Sequence, residues 1–146
     1  MLSTSCQYAI QSILYISTFG EKTPVPAKEI AEKLKLPKEF ISKILQSLTK
    51  HEIIGSTKGI NGGFYINKKT SEIKILDIIK IIDGEDFLEG CVLGFEGCSD
   101  ENPCPIHQKW KMCKQDLLKL FSNETIDHYE DLVKSKVDYI SNLNSN

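Results

Sequence analysis

Residues 27–50 read Ala-Lys-Glu-Ile-Ala-Glu-Lys-Leu-Lys-Leu-Pro-Lys-Glu-Phe-Ile-Ser-Lys-Ile-Leu-Gln-Ser-Leu-Thr-Lys, and their spacing decides the fold. Ile30, Ala31 and Leu34 recur at helical steps. Lys35-Leu-Pro37 then breaks the pattern, because proline lacks an N–H and pushes the residue before it out of the helical region. Ile41, Ile44, Leu45 and Leu48 resume it. The stretch therefore predicts two short amphipathic helices, 27–34 and 38–50, joined by a tight turn. Pro26 leaves the first without a side-chain cap. The second has a polar outer face of Lys38, Glu39, Ser42, Lys43 and Gln46. This is the pattern of a helix–turn–helix, whose second helix enters the major groove of DNA.

Upstream, Leu2 to Phe19 predicts a helix with Ala9, Ile10, Ile13, Leu14 and Phe19 apolar, capped by Ser3 or Thr4 and stopped by Gly20. Thr23-Pro-Val-Pro26 is a rigid link. Downstream, Ile53-Ile54 and Phe64-Tyr65-Ile66 flank Lys58-Gly-Ile-Asn-Gly-Gly63. Asn-Gly between apolar runs signals a β-hairpin, and its basic tip would be a wing. A phosphate-binding enzyme loop is the rival reading of these glycines. It fails because the Gly-Lys-Ser/Thr ending is missing and no helix follows.

Leu76 to Asp83 predicts a short apolar helix closed by Gly84. Residues 90–105 are rich in Cys, Gly, acids and Pro and predict an ordered loop. Pro105 suits the first position of another helix, with Ile106, Trp110, Cys113, Leu117 and Phe121 as its stripe. A last helix from Thr125 to about Leu143 repeats Ile126, Tyr129, Val133, Val137 and Ile140, and Asn144 to Asn146 form a frayed tail. The fold class expected is mainly α with a small β-hairpin wing: a winged helix–turn–helix region over 1–75 and a cysteine-rich loop with further helices over 76–146, in a single compact domain.

The net charge of −2 over 146 residues hides a split. Through Lys74 there are eleven lysines and six acids, a balance of +5; from Leu76 there are seven lysines and fourteen acids, a balance of −7. The asymmetry suggests a basic face for a polyanion and an acidic half with a separate task. Every basic residue is lysine. Lysine is a point charge and lacks the planar fork that reads guanine bidentately. No apolar run is long enough to span a bilayer, and no secretory signal pattern is present at the N-terminus, so a cytoplasmic location is expected.

Five cysteines in such a chain argue against a disulfide framework. Cys91, Cys98, Cys104 and His107 follow the pattern C-x6-C-x5-C-x2-H. Three thiolates and an imidazole suit either an iron–sulfur cluster or tetrahedral zinc. Structural zinc sites usually contain a tight C-x2-C pair, so the longer spacings favour a cluster, and a helix N-terminus there would stabilise thiolates. A cluster-free thiol sensor and chemically idle cysteines are the alternatives that remain open on these residues. Cys6, Cys113 and Trp110 are expected in the core, and His51 and His128 lack partners at ligand spacing.

Tyr8-Ala9, Ile30-Ala31 ahead of Leu36-Pro37, Lys58-Gly-Ile-Asn-Gly-Gly-Phe64, and the Cys91, Cys98, Cys104 and His107 set together resemble the Rrf2 family of bacterial winged-helix regulators, whose members include IscR-, NsrR- and CymR-like proteins. The resemblance covers nearly the whole chain. It implies a homodimeric repressor or activator that dimerises through its first and last helices. In IscR-like members three Cys and a His hold a [2Fe–2S] cluster, which corresponds here to Cys91, Cys98, Cys104 and His107. NsrR-like members complete a [4Fe–4S] site with an Asp of the first helix; Gln7 stands there in this chain. Three departures are visible. The first Cys gap is one residue longer than in IscR-like members, Lys58 replaces the wing's usual Arg, and Ser42 replaces a recognition-helix Glu.

The expected partner is double-stranded DNA, with the two recognition helices of a dimer about 34 Å apart. Lys38, Ser42, Lys43 and Gln46 would face bases or backbone, Lys58 and Asn61 the adjacent minor groove, and Lys68 and Lys69 phosphates. The expected cofactor is a [2Fe–2S] cluster, with zinc or no cofactor as alternatives. An enzyme is not expected, because no nucleophile–base constellation or substrate motif is present. A small iron–sulfur electron carrier is the rival of a different class, but it has no use for a basic wing.

Overall fold

The computed structural model describes residues 1–143; the tail 144–146 lies outside the described residues. The first helix, α1 (Thr4–Ser17), starts where the Ser3 side chain accepts a hydrogen bond from the Cys6 N–H at 3.0 Å. It buries Cys6, Ala9, Ile13 and Ile16 completely. It is shorter at both ends than the apolar run suggested, because Phe19 lies beyond its cap and Gly20 turns away at φ 84°.

The stretch at 27–50 folds as its spacing predicts: α2 (Ala27–Leu34) and α3 (Lys38–Lys50) meet at a turn. Neither has a side-chain N-cap, since a proline precedes each. Lys35 closes α2 in the left-handed region, φ 54° and ψ 46°, and the Leu36 N–H reaches back to the Ala31 carbonyl at 2.8 Å. Ile30, Ala31 and Leu34 from α2 and Ile41, Ile44, Leu45 and Leu48 from α3 are buried together. The Tyr15 hydroxyl donates to Glu29 at 2.9 Å and ties α1 to α2.

The wing consists of β1 (Ile54–Thr57) and β2 (Gly63–Ile66), antiparallel, with Ile54 opposite Ile66 and Thr57 opposite Gly63. Asn61-Gly62 is not a two-residue turn. It lies within a five-residue loop, 58–62, where the Gly62 N–H bonds the Gly59 carbonyl at 3.0 Å. The link after α1 runs beside β2: Glu21 bridges Ile66, and Val25 bridges Phe64.

A 3-10 turn (Thr70–Glu72) leads into α4 (Ile75–Asp83), which ends at Gly84 with φ 90°. α4 packs on α1 and α3. After the cysteine loop comes α5 (His107–Asn123), the longest helix described, and then α6 (Glu130–Asn142). The expected continuous last helix is broken by a 3-10 turn at Ile126–Tyr129. Ile126 is completely buried, and hydrogen bonds of 3.0 Å run from its N–H to the Ile73 carbonyl and from the Ile75 N–H to the Glu124 carbonyl. That clamp fixes the chain direction between α5 and α6.

α6 packs back onto α1 and α2 with Val137 buried and Val133 and Ile140 half-buried, so part of its apolar stripe is covered within its own chain. α5 packs along α4, meets the preceding loop through Phe121 beside Phe87 and Trp110 on Gly90, and has no buried residue. Cys113, expected in the core, is therefore exposed, as are Met112, Leu118 and Leu120, and Trp110 is half-buried. His51 and His128 lie at the surface.

Candidate metal centre and nucleic-acid interface

The residues expected to meet DNA lie on α3 and the wing. Burial of Ile41, Ile44, Leu45 and Leu48 fixes the rotation of α3 and leaves Lys38, Lys43 and Gln46 exposed, with Ser42 half-buried. Lys58 and Asn61 are exposed on the hairpin loop, and Lys68 and Lys69 just beyond β2. Among the described residues, none of these five lysines has an acidic group within ion-pair distance. Two apolar side chains join this surface that sequence reasoning left out. Phe40 is 58% exposed in the first turn of α3, and Ile60 is fully exposed on the wing loop. Both were readable as apolar residues outside a buried stripe. An exposed Phe on the helix expected to enter the groove would suit apolar contact with thymine methyls.

The second site is the loop between α4 and α5. Gly94 and Gly97, at φ 75° and 69°, bend the chain back between Cys91 and Cys98. A Cβ on either would meet nothing within 4 Å, so backbone conformation and not crowding calls for glycine. The Sγ atoms of Cys91, Cys98 and Cys104 lie within 4.8 Å of one another, with Cys91 and Cys104 3.5 Å apart. His107 Nδ1 is 3.2 Å from Cys98 Sγ. Pro105 was expected to open α5, but Ile106 is not helical (φ −112°, ψ 9°) and the helix starts at His107. Cys104 and His107 thus share a turn, closed by the His107 N–H on the Cys104 carbonyl at 3.0 Å, and not a helix face.

The loop is anchored at its start by the Trp110 indole N–H, which donates to the Gly90 carbonyl at 3.3 Å. His107 Nε2 lies 2.9 Å from Asp100, whose other oxygen accepts from Lys111 at 2.6 Å. Lys111 and His107 hold the Asp100 carboxyl below its usual range. Burial raises the Cys91 thiol, but backbone N–H groups of Phe95 and Leu93 and the neighbouring thiols outweigh it and bring Cys91 down to about 7. Burial and the neighbouring thiols push Cys104 up, against the N–H of Ile106. Cys6 is pushed up to about 12 by burial and by Asp83, which keeps it a neutral core thiol.

Three thiols at this separation and an imidazole beside them match the donor chemistry of a transition-metal site. Zinc–sulfur bonds of about 2.3 Å in a tetrahedron place sulfurs roughly 3.8 Å apart. The glycine bends of the loop are exposed, and no side chain crowds them.

Comparison with known proteins identifies the family. The family of Rrf2 iron-dependent transcriptional regulators matches residues 2–134. An HTH-type transcriptional regulator of Aquifex aeolicus is 32% identical, covering 86% of this chain and 88% of that protein. The regulator IscR of Pectobacterium carotovorum is 25% identical over 92% of this chain and 80% of its own length. In structure, CymR, described as the global cysteine regulator of B. subtilis, superposes with a TM-score of 0.73 at 17% identity over 90% of this chain and 97% of that one. T. potens IscR superposes at 0.67, with 22% identity over 92% and 88%. These are regulators and not enzymes, and the winged-helix fold is common to them. The chain belongs to the Rrf2 family of DNA-binding transcriptional regulators.

Proposed function

We propose that this regulator works as a homodimer whose DNA affinity is set by a metal centre at Cys91, Cys98, Cys104 and His107. The observation that carries the reading is the convergence of three Sγ atoms within 4.8 Å, with the His107 ring against one of them, that of Cys98. A [2Fe–2S] cluster is the group we assign. When bound it supplies a one-electron redox group and ties the loop to the start of α5. A single zinc ion is the second reading, favoured by the closeness of the three sulfurs.

Lys38, Ser42, Lys43 and Gln46 meet the major groove and its phosphates, Lys58 and Asn61 the neighbouring minor groove, and Lys68 and Lys69 the backbone. The exposed apolar residues of α5 supply the dimer contact, because α5 has no buried residue, whereas α6 packs on α1 and α2 with Val137 buried. The metal loop continues directly from α4, and α4 packs against both α1 and the recognition helix α3. A change in how tightly the loop is held therefore has a packed route to the DNA-reading surface.

The test is equilibrium binding to a duplex selected from a random pool, comparing anaerobic wild type with Cys98→Ala. The proposal expects at least a ten-fold difference in affinity between them. Equal affinities, with metal present in one and absent in the other, would remove the control function.

A further inference from the structure

Asp100 belongs to none of the roles assigned so far, yet it makes the closest polar contact to His107. Its Oδ1 is 2.9 Å from His107 Nε2, and its Oδ2 accepts from Lys111 Nζ at 2.6 Å. The His107 side chain is 15% exposed, whereas Asp100 is 58% exposed. On the other side of the ring, Nδ1 faces Cys98 Sγ at 3.2 Å. We propose that Asp100 is a positioning residue that fixes His107 as an Nδ1 ligand, with Lys111 fixing Asp100 in turn. This rests on the reading of His107 as a ligand given above.

The argument is one of donors and acceptors. An ionised carboxylate only accepts, so the ring nitrogen facing it carries the hydrogen. In neutral imidazole the other nitrogen then has the lone pair. That nitrogen is Nδ1, and it faces Cys98 Sγ, one of the three gathered sulfurs. The hydrogen bond to Asp100 also makes the ring a better donor, since a carboxylate on the far N–H raises ligand basicity. Lys111 has a matching function. Asp100 sits on an exposed loop, and a cation four residues along α5 from His107 holds it in one place. Cys104 and His107 alone do not determine which ring nitrogen faces the sulfurs; the Asp100 contact does.

The experiment uses the full chain, loaded anaerobically with ferrous iron and sulfide, reduced, and examined by pulsed electron paramagnetic resonance. Histidine labelled with 15N at either Nδ1 or Nε2 is incorporated. Wild type is expected to show a strong, directly bonded coupling from the Nδ1 label and only a weak one from the Nε2 label. Asp100→Ala is expected to lose that pattern and to release iron to a chelator about 10–100-fold more readily. Asp100→Glu is expected to restore the Nδ1 coupling, and Lys111→Met to weaken it in part.

A strong Nε2 coupling in wild type overturns the proposal, as does an Asp100→Ala protein with unchanged couplings and iron release. His107→Ala serves as the control for the underlying reading. If wild type and His107→Ala are alike, with no bonded nitrogen in either, His107 is not a ligand, and the positioning function falls with it. Asp100 and Lys111 are surface groups, so circular dichroism of each variant is expected to match wild type.

Discussion

Val25 and Phe64 exchange both backbone hydrogen bonds, Val25 N–H to the Phe64 carbonyl at 2.8 Å and Phe64 N–H to the Val25 carbonyl at 2.9 Å. The link between the first two helices thus bridges β2 at Val25, and this pairing ties the wing to the helix–turn–helix. The close approach depends on Gly63, where an added Cβ would lie 2.4 Å from the Val25 carbonyl carbon and 2.5 Å from its oxygen. These are backbone atoms that cannot swing aside. Gly63→Ala is expected to destabilise the protein by about 3 kcal/mol, at the upper end for overpacking, and to weaken DNA binding through a displaced wing. Chemical denaturation of the variant checks this. A loss well under 1 kcal/mol would show that the wing is free to move.

Lys35 carries the turn of the helix–turn–helix at φ 54°, a region costly for residues with a Cβ. Lys35→Gly is expected to raise stability by about 1 kcal/mol without changing the fold. A thermal unfolding curve with a higher midpoint supports the strain, and a lower one contradicts it.

The outlines of this architecture were legible in the sequence where apolar residues repeat with a clear period. The bounds of α2 and α3 follow directly from Ile30, Leu34, Ile41 and Leu48 on either side of Pro37. The cysteine pattern likewise brought out three thiols that the fold does gather. What stayed hidden depends on tertiary context. The Val25–Phe64 pairing joins residues 39 positions apart and has no periodic signature. The stripe of α6 could be read, but not that it would pack on α1 and α2. The stripe through Cys113 looked like core because a sequence shows an apolar face without showing what packs on it. The hydrogen bond from His107 to Asp100 depends on a loop path that composition does not encode.

Glu124 gives a pH dependence with a definite sign. The Tyr129 hydroxyl, donating at 2.6 Å, and then His128 hold its carboxyl below the usual range. A lowered folded-state pKa adds stability above the unfolded value of about 4.3, and that stability is lost as pH falls through the lower folded value. Wild type should therefore exceed Glu124→Gln in stability at pH 7, and the difference should shrink as pH falls below about 4. Urea midpoints across this range check the sign. A gap that widens on acidification would contradict it.

Lys43 and Lys58 stand exposed and without acidic partners among the described residues, on the recognition helix and wing loop. If each neutralises one phosphate, replacing both with Ala reduces the slope of log affinity against log salt by about 2. Fluorescence anisotropy with a selected duplex over a salt series measures it. An unchanged slope would place the DNA surface elsewhere.

The most direct measurement for the central claim is iron, acid-labile sulfide and zinc per chain in protein purified without oxygen, with its visible absorption. The account predicts coloured protein with about two irons and two sulfides per chain, as a [2Fe–2S] centre requires, and loss of both in Cys98→Ala. Colourless, iron-free wild type that binds DNA with the same affinity as Cys98→Ala would contradict it.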